Sequence, residues 1–413
     1  MAKQNTGQQL KAPPKIFYGY IVVAAALLII LLAYGARLSF GVFFKPMIAE
    51  FHWSRALTSG AMTLAMLIQG VTGIVMGRLN DRFGPRFIMT FCCFFLGLGF
   101  ILTSQIHSAW QLYLVFGVIT GIGMGGVFVA LLSTVARWFI KRRGTMTGIV
   151  TTGIGLGALV MTPAANWLIS VSDWRMSYII VGGVVLVPGI IAAQLLRRDP
   201  ARMGLVPYGK NEKEVTESAA AAGGLSFKEA VGTVQFWMIA FSFFCLGYCI
   251  FAINVHLVPH ITDLGISATT AANIMAATGG LQTIGGIVLG IAADRTGNRQ
   301  VLIIGLVLIT VSMLWLVPFT GPGMFYVFAV IYGVGVGGGG TMEATVIADL
   351  FGIKAHGLIL GVTSFIFTVG GAVGPLVTGY IFDRQGSYQP AFLVCAAFGI
   401  TGLILVALTR PVK

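Results

Sequence analysis

Twelve runs of about twenty apolar residues, separated by short polar punctuation, leave this chain few folds to adopt. They lie near 17–44, 58–77, 87–106, 110–136, 145–169, 176–196, 234–258, 268–292, 300–318, 323–347, 356–380 and 390–409. Where no water is present, only a helix or a closed barrel satisfies every backbone N–H and C=O, and a helix needs about 20 residues to cross a ~30 Å hydrocarbon core. Barrel strands would read as alternating segments of about ten residues, and these runs are too long and too uniformly apolar for that. The expected fold is an all-α membrane protein of twelve transmembrane helices. Composition agrees: 9% of the residues are charged, against roughly 25% in soluble domains.

The first run is longer than the 7–15 residue core of a signal peptide and lacks a small-residue cleavage pattern, so it is expected to be retained. Met1–Lys15 then stays in the cytoplasm. In that orientation 21 Lys and Arg lie on the cytoplasmic side, four (Lys45, Arg55, Arg175, Arg384) on the other, and Arg37 within a span, as the positive-inside rule requires. The expected setting is the cytoplasmic (inner) membrane, multi-pass, with both termini in the cytoplasm. The net charge of +13 is then a matter of lipid headgroups and calls for no nucleic acid. Cys92, Cys93, Cys245, Cys249 and Cys395 all fall in apolar runs, as small core residues do. No second Cys or His pair completes a metal site around Cys245 and Cys249. "GIGMGG" (121–126) has no preceding strand and reads as close helix packing rather than a nucleotide loop. No G-x-x-x-x-G-K-[ST] occurs, which argues against an ATP-driven pump, and no cofactor is expected.

The chain repeats itself. "IQGVTGIVMGRLNDRFGPR" (68–86) lies over "LQTIGGIVLGIAADRTGNR" (281–299) at an offset of 213, and the same offset pairs Pro46 with Pro259, Ser54 with Ser267, Gly144 with Gly357 and Gly148 with Gly361. The expected organisation is two pseudo-symmetric six-helix bundles, 1–196 and 233–413, joined by a mobile cytoplasmic linker, 197–232, that ends in a Ser226-x-x-Glu229 capping box. The doubled G-x-x-x-D-R-x-G-x-R segment falls on a cytoplasmic loop in both halves. There Asp81, Arg82, Arg86, Asp294, Arg295 and Arg299 read as a gate latch or, for the arginines, as headgroup anchors. Glu343, the acid deepest in a span, reads as a structural partner for Arg295 or Arg299 or as a proton carrier.

Arg37 costs roughly 2.5–3.5 kcal/mol on insertion scales and needs a reason for being in a span. Tyr34, Arg37 and Gly41 share one face of the first helix. A fixed positive charge beside a phenol suits a carboxylate, which arginine grips through its planar fork. The alternative is an arginine that snorkels to the outer headgroups. On the seventh helix, Tyr248, Asn254 and His256 face the same question. Asn254 stands opposite Gly41 in the repeat, and His256 is a candidate for proton coupling or for a structural hydrogen bond.

The twelve spans, central loop and doubled motif resemble the major facilitator superfamily over the whole chain. Within it, "FGVFFKPMIAEFHWSRA" (40–56), "RWFIKRRGTMTGI" (137–149) and "RRDPARMGLVP" (197–207) resemble the bacterial monocarboxylate porter and oxalate/formate antiporter branch, relatives of the proton-linked monocarboxylate transporters of animals. In those animal transporters a lysine stands on the first helix at about the place of Arg37, one residue out of register. Their eighth-helix Asp and Arg fall on Gln282 and Gly286, so that acid–base pair is absent. The exchanger's eleventh-helix lysine has no counterpart either. Arg37 is then the cation left to hold an anion, with Gln282 and Tyr332 as neutral contacts.

The resemblance implies a secondary active transporter, a monomer by analogy, that moves a small organic anion of the lactate or pyruvate class with a proton by alternating access. Exchange of two carboxylates, or carriage of a larger aromatic or neutral solute, stands as the alternative within transport. A sensor would need a signalling domain, and an enzyme would need clustered His, Asp or Glu in the spans. Neither feature is found, and no catalytic activity is expected.

Overall fold

The computed structural model describes residues 17–53, 55–209, 224–318 and 321–409. The Met1–Lys15 tail, Ser54 and the middle of the linker, 210–223, lie outside the described residues. Twelve helices are long and apolar enough to cross a membrane. They are α1 Tyr18–Phe44, α2 Gly60–Phe83, α3 Pro85–Thr103, α4 Ala109–Trp138, α5 Arg143–Val171 and α6 Trp174–Leu195, then α7 Val234–Asp263, α8 Asn273–Thr296, α9 Asn298–Trp315, α10 Pro322–Phe351, α11 His356–Gln385 and α12 Gln389–Leu408. The chain is a multi-pass, all-α membrane protein.

Buried apolar side chains gather in two clusters. One draws on α1–α6 and takes in Ala344, Ile347, Ile359 and Leu360 from α10 and α11. The other draws on α7–α12. The two halves therefore share packing on the side where α10 ends and α11 begins.

Four helices carry that junction, and glycines set its spacing. A β-carbon on Gly144 or Gly148 of α5 would stand 2.6 Å and 2.5 Å from the carbonyl oxygens of Gly290 and Gly286 on α8. One on Gly357 or Gly361 of α11 would stand 2.5 Å and 2.8 Å from those of Gly77 and Gly73 on α2. Any side chain there would push the backbones apart, which is why small residues occupy such crossings. These are the residues that the 213-residue repeat pairs.

The repeat motif itself sits differently from the sequence expectation. Asp81 and Asp294 lie in the last turns of helices Arg55–Phe83 and Ala268–Thr296, not on loops. Nothing breaks either helix before the motif's glycine. Gly84 (φ +87°) and Gly297 (φ +101°) then take a backbone conformation that only glycine adopts readily, and each precedes the first residue of the next helix.

The linker is ordered at both ends. Asp199 lies within ion-pair distance of Arg137, at 3.4 Å, and the Tyr208 N–H donates to the Trp138 carbonyl at 2.9 Å, which docks 197–209 against the end of α4. Ser226 and Glu229 form the expected capping box on the short helix Phe227–Val231.

Replacing Gly84 or Gly297 with alanine forces a β-carbon into that conformation, at a cost of about 1–3 kcal/mol. Each variant should unfold at a lower temperature than the native protein in detergent. Unchanged unfolding would remove the turn from this account.

Candidate functional site: a gated cleft with an intramembrane arginine

The junction is closed by two carboxylates that cap helices in the opposite half. Asp81 at the end of α2 accepts from the backbone N–H groups of Gly357 and Leu358, at 3.1 and 3.0 Å, at the start of α11. Asp294 at the end of α8 accepts from those of Gly144 and Thr145, at 2.8 and 3.0 Å, at the start of α5, and also from the Thr145 hydroxyl. The first-turn N–H groups of a helix have no internal partner and carry about half a positive charge, so a carboxylate there is favourable by about 0.3–2 kcal/mol. Two caps of that size close one face firmly but reversibly.

The halves support their caps differently. Arg137 of α4, 7% exposed, pairs with Asp81 at 2.6 Å. Its repeat mate is Leu350, and among the described residues no ion pair is made by Asp294. Instead Arg143 of α5 bridges to Asp349 of α10 at 3.0 Å, and Asn298 donates to the same carboxylate at 2.6 Å.

The arginines of the motif do something else. Arg86 donates to the Gln194 carbonyl at the end of α6, at 3.0 Å. Its repeat mate Arg299 donates to the Val406 and Ala407 carbonyls at the end of α12, at 3.1 and 2.5 Å. Each holds the last carbonyls of the sixth helix of its own half, where a cation is favoured. Arg82 packs over the Phe83 ring, and Arg295 is exposed. The two aspartates thus reach across to the opposite half, whereas Arg86 and Arg299 reach carbonyls of their own half.

Beyond the gate the halves diverge. Gly70 of α2 still packs on Phe365 of α11, and Gly155 of α5 on Thr283 of α8, but Gly41, Gly279 and Gly280 face open space. These open positions lie beyond Gln69–Gly70 and Gln282–Thr283 on the side away from the gate; that space is the candidate cleft, and the level of those residues is its candidate floor.

Arg37 points to that floor. Its Nη1 donates to the Gln69 side-chain oxygen at 2.5 Å, while its Nε is buried with no partner. Gln69 lies fourteen residues from either end of its helix Arg55–Phe83, at mid-depth. The guanidinium therefore turns inward, and the snorkelling alternative is not the arrangement found. Two residues on, α1 breaks at Ser39, whose hydroxyl donates to the Ala36 carbonyl at 2.7 Å. No carboxylate lies within ion-pair distance of Arg37 among the described residues. Tyr34, one turn toward the gate, is close enough to interact electrostatically with both Arg37 and Glu343.

Asn254 and Gln282 are exposed. Gln282 lies one turn from Gly286 on the face of α8 that meets α5, so it reaches the floor from the second half. Gln69 is its repeat mate and was missed as a site residue, although the repeat pairs the two.

Three expected site residues lie elsewhere. Tyr248 is fully buried against Phe398 of α12, with ring centroids 4.2 Å apart. Tyr332, 1% exposed, donates to the Ile250 carbonyl at 3.2 Å. Both are core residues of the second half and do not line the cleft. His256 has both ring nitrogens engaged, with the Pro375 carbonyl at 3.0 Å and the Tyr388 hydroxyl at 3.3 Å, so it ties α7 to α11 and to Tyr388 before α12.

Glu343 does not meet Arg295 or Arg299. Buried at 4% exposure, its carboxylate takes the hydroxyls of Thr363 and Ser364 on α11, at 3.0 and 2.8 Å. It lies eight residues before the end of α10, about 12 Å inside, beyond the reach of arginines at the helix ends. No group of three or more His, Cys, Asp or Glu that could hold a metal occurs among the described residues.

Two helical halves that close one face and leave a polar floor open to the other make a solute carrier. Residues 26–262 and 239–413 match the family model of the Major Facilitator Superfamily, and the chain belongs to that family of membrane transporters. Monocarboxylate transporter 13 of Rattus norvegicus is 27% identical over 94% of this chain and 88% of its own length. Monocarboxylate transporter 11 of Homo sapiens is 29% identical over 97% and 85%. Among solved structures, the proton:xylose symporter XylE bound to 6-bromo-6-deoxy-D-glucose superposes with a TM-score of 0.77 at 14% identity, covering 96% of this chain and 97% of that one. That likeness is one of fold.

Asp81→Asn removes both a cap and the shorter of the two ion pairs of buried Arg137, leaving it Asp199 at 3.4 Å, whereas Asp294→Asn weakens only a cap worth about 0.3–2 kcal/mol. Thermal unfolding in detergent should show the larger drop for Asp81→Asn. Equal drops would mean that the Arg137 pair contributes nothing.

Proposed function

We propose that this transporter carries a small monocarboxylate of the lactate or pyruvate class, with a proton, across the cytoplasmic membrane by alternating access. Its termini lie in the cytoplasm and it works as a monomer. The gate then faces the cytoplasm and the cleft faces outward. The observation that carries the reading is Arg37, a guanidinium at the cleft floor whose one hydrogen-bond partner among the described residues is a neutral amide. Arginine stays ionised in almost any environment. An arriving carboxylate supplies the missing counter-charge, and closure of the outer face over a neutral pair is easier than over a lone cation. Gln69 aims the fork, and Gln282 and Asn254 offer amides from the facing half. The relatives' names support a monocarboxylate.

Gln282 and Gly286, which stand where the animal transporters that this chain resembles carry an acid–base pair, favour a second reading: a larger aromatic or neutral solute. Radiolabelled L-lactate uptake into proteoliposomes under an inward proton gradient separates the two. Arg37→Ala should cut gradient-driven uptake about tenfold or more, as loss of a charged hydrogen bond does, and Arg37→Lys should fall between, keeping the charge but not the fork. Uptake unaffected by either change removes Arg37 from the anion site, and no lactate uptake by the native protein contradicts the monocarboxylate reading.

A further inference from the structure

Glu343 is a charge-bearing group for which the gate and the anion site have no use. It is 4% exposed on α10, and its hydrogen-bond donors are two hydroxyls of α11. The charged groups on the elements around it are committed elsewhere. Arg137 of α4 goes to Asp81, Arg143 of α5 to Asp349, Asp294 of α8 to the start of α5, and the His356 ring of α11 to the Ala344 carbonyl at 2.7 Å. From α1 the titratable group near it is Tyr34, with Arg37 one turn beyond. An ionised carboxylate sealed in a membrane protein without a cation is costly, and such residues mark proton paths.

The hydrogen bonding around Glu343 points the same way. The Thr363 hydroxyl has one proton but two acceptors in reach, the Leu360 carbonyl at 3.1 Å and Glu343 Oε1 at 3.0 Å. With an ionised carboxylate the two acceptors compete for that single proton. A protonated one donates to Thr363 Oγ1, which then donates to Leu360, and Ser364 still reaches the carboxyl. Thr363 and Ser364 follow Gly361, whose packing on Gly73 closes the gate. Separation of the halves at the gate carries α10 and α11 together away from the first half, on which Ala344, Ile347 and Leu360 pack, and so uncovers Glu343 to the gate side with its hydroxyl partners retained.

We propose that Glu343 is the proton-carrying residue of the transport cycle. The inference rests on the transport reading above. The Glu343 carboxylate takes its proton from the cleft side while the outer face is open, before the anion reaches Arg37. The neutral acid lets the outer face close, and opening of the gate exposes Glu343 to water, which takes the same proton. An unprotonated Glu343 bars closure of the outer face over an anion, so anion and proton cross together.

Glu343→Gln mimics the neutral acid permanently. Reconstituted protein should keep lactate–lactate counterflow within about twofold of native, since exchange needs no proton release, and lose gradient-driven accumulation and lactate-induced proton uptake by about tenfold or more. Accumulation that persists in Glu343→Gln overturns the proposal. So does loss of both activities in a variant that stays monodisperse and unfolds at the native temperature. A native protein that moves no lactate defeats the monocarboxylate reading instead. The proton itself has a readout that needs no substrate: the infrared difference between native protein and Glu343→Gln at neutral pH should contain the carbonyl stretch of a protonated carboxylic acid, and its absence overturns the proposal.

Discussion

A carboxylate at the end of one helix caps the start of another in the opposite half, and the chain makes this contact twice. Asp81 on α11 and Asp294 on α5 draw four helices together at one face. Glycine at each crossing lets the backbones touch, so closure is dense there and absent elsewhere. The remaining features follow from it. The cleft opens on the opposite side, Arg37 and Gln69 form its floor, and Glu343 is sealed behind the helix that closes the gate. Each cap is worth a few kcal/mol at most. A ligand's differential affinity for two states reaches that size, so the gate can yield to it.

The halves are alike in mechanics and unlike in chemistry. Both use the same glycine crossings, the same aspartate cap and the same arginine of the third helix, Arg86 or Arg299, holding the last carbonyls of the sixth. The fixed charges of the transport path belong to the first half, in Arg37 at the floor and Arg137 behind the gate. At the positions 213 residues on, the second half has Ile250 and Leu350. It contributes amides to the cleft and the buried acid behind it. A rocking motion needs the symmetry, whereas a directed coupling of two solutes needs the asymmetry.

The twelve spans were legible in the sequence because the bilayer dictates their length and composition. The glycines of the crossings and the two capping aspartates stood out as matched positions of the repeat, because close backbone approach and helix capping restrict residue type tightly; that they meet across the halves was not legible. What the sequence hid was direction. Arg86 and Arg299 look like latch members, but they reach the carbonyls of their own half, a choice made by rotamer and neighbouring helix rather than by position. Tyr248 and Tyr332 sit on apolar helices with no polar face to orient them, and the core took both. Gln69 was visible only as half of a matched pair. Arg143 and Asp349 are 206 residues apart and carry no local mark of their contact.

The claim at the centre is that the aspartate caps hold the gate shut and that opening requires breaking them. Spin labels at Ile140 and Thr296, both exposed and on opposite sides of the gate, report the separation directly by pulsed dipolar spectroscopy in a background without the five buried cysteines. A single short distance in the native protein, joined by a longer population in the Asp81→Asn, Asp294→Asn double variant, is the predicted result. A distance distribution that does not change when both caps are weakened would contradict the account.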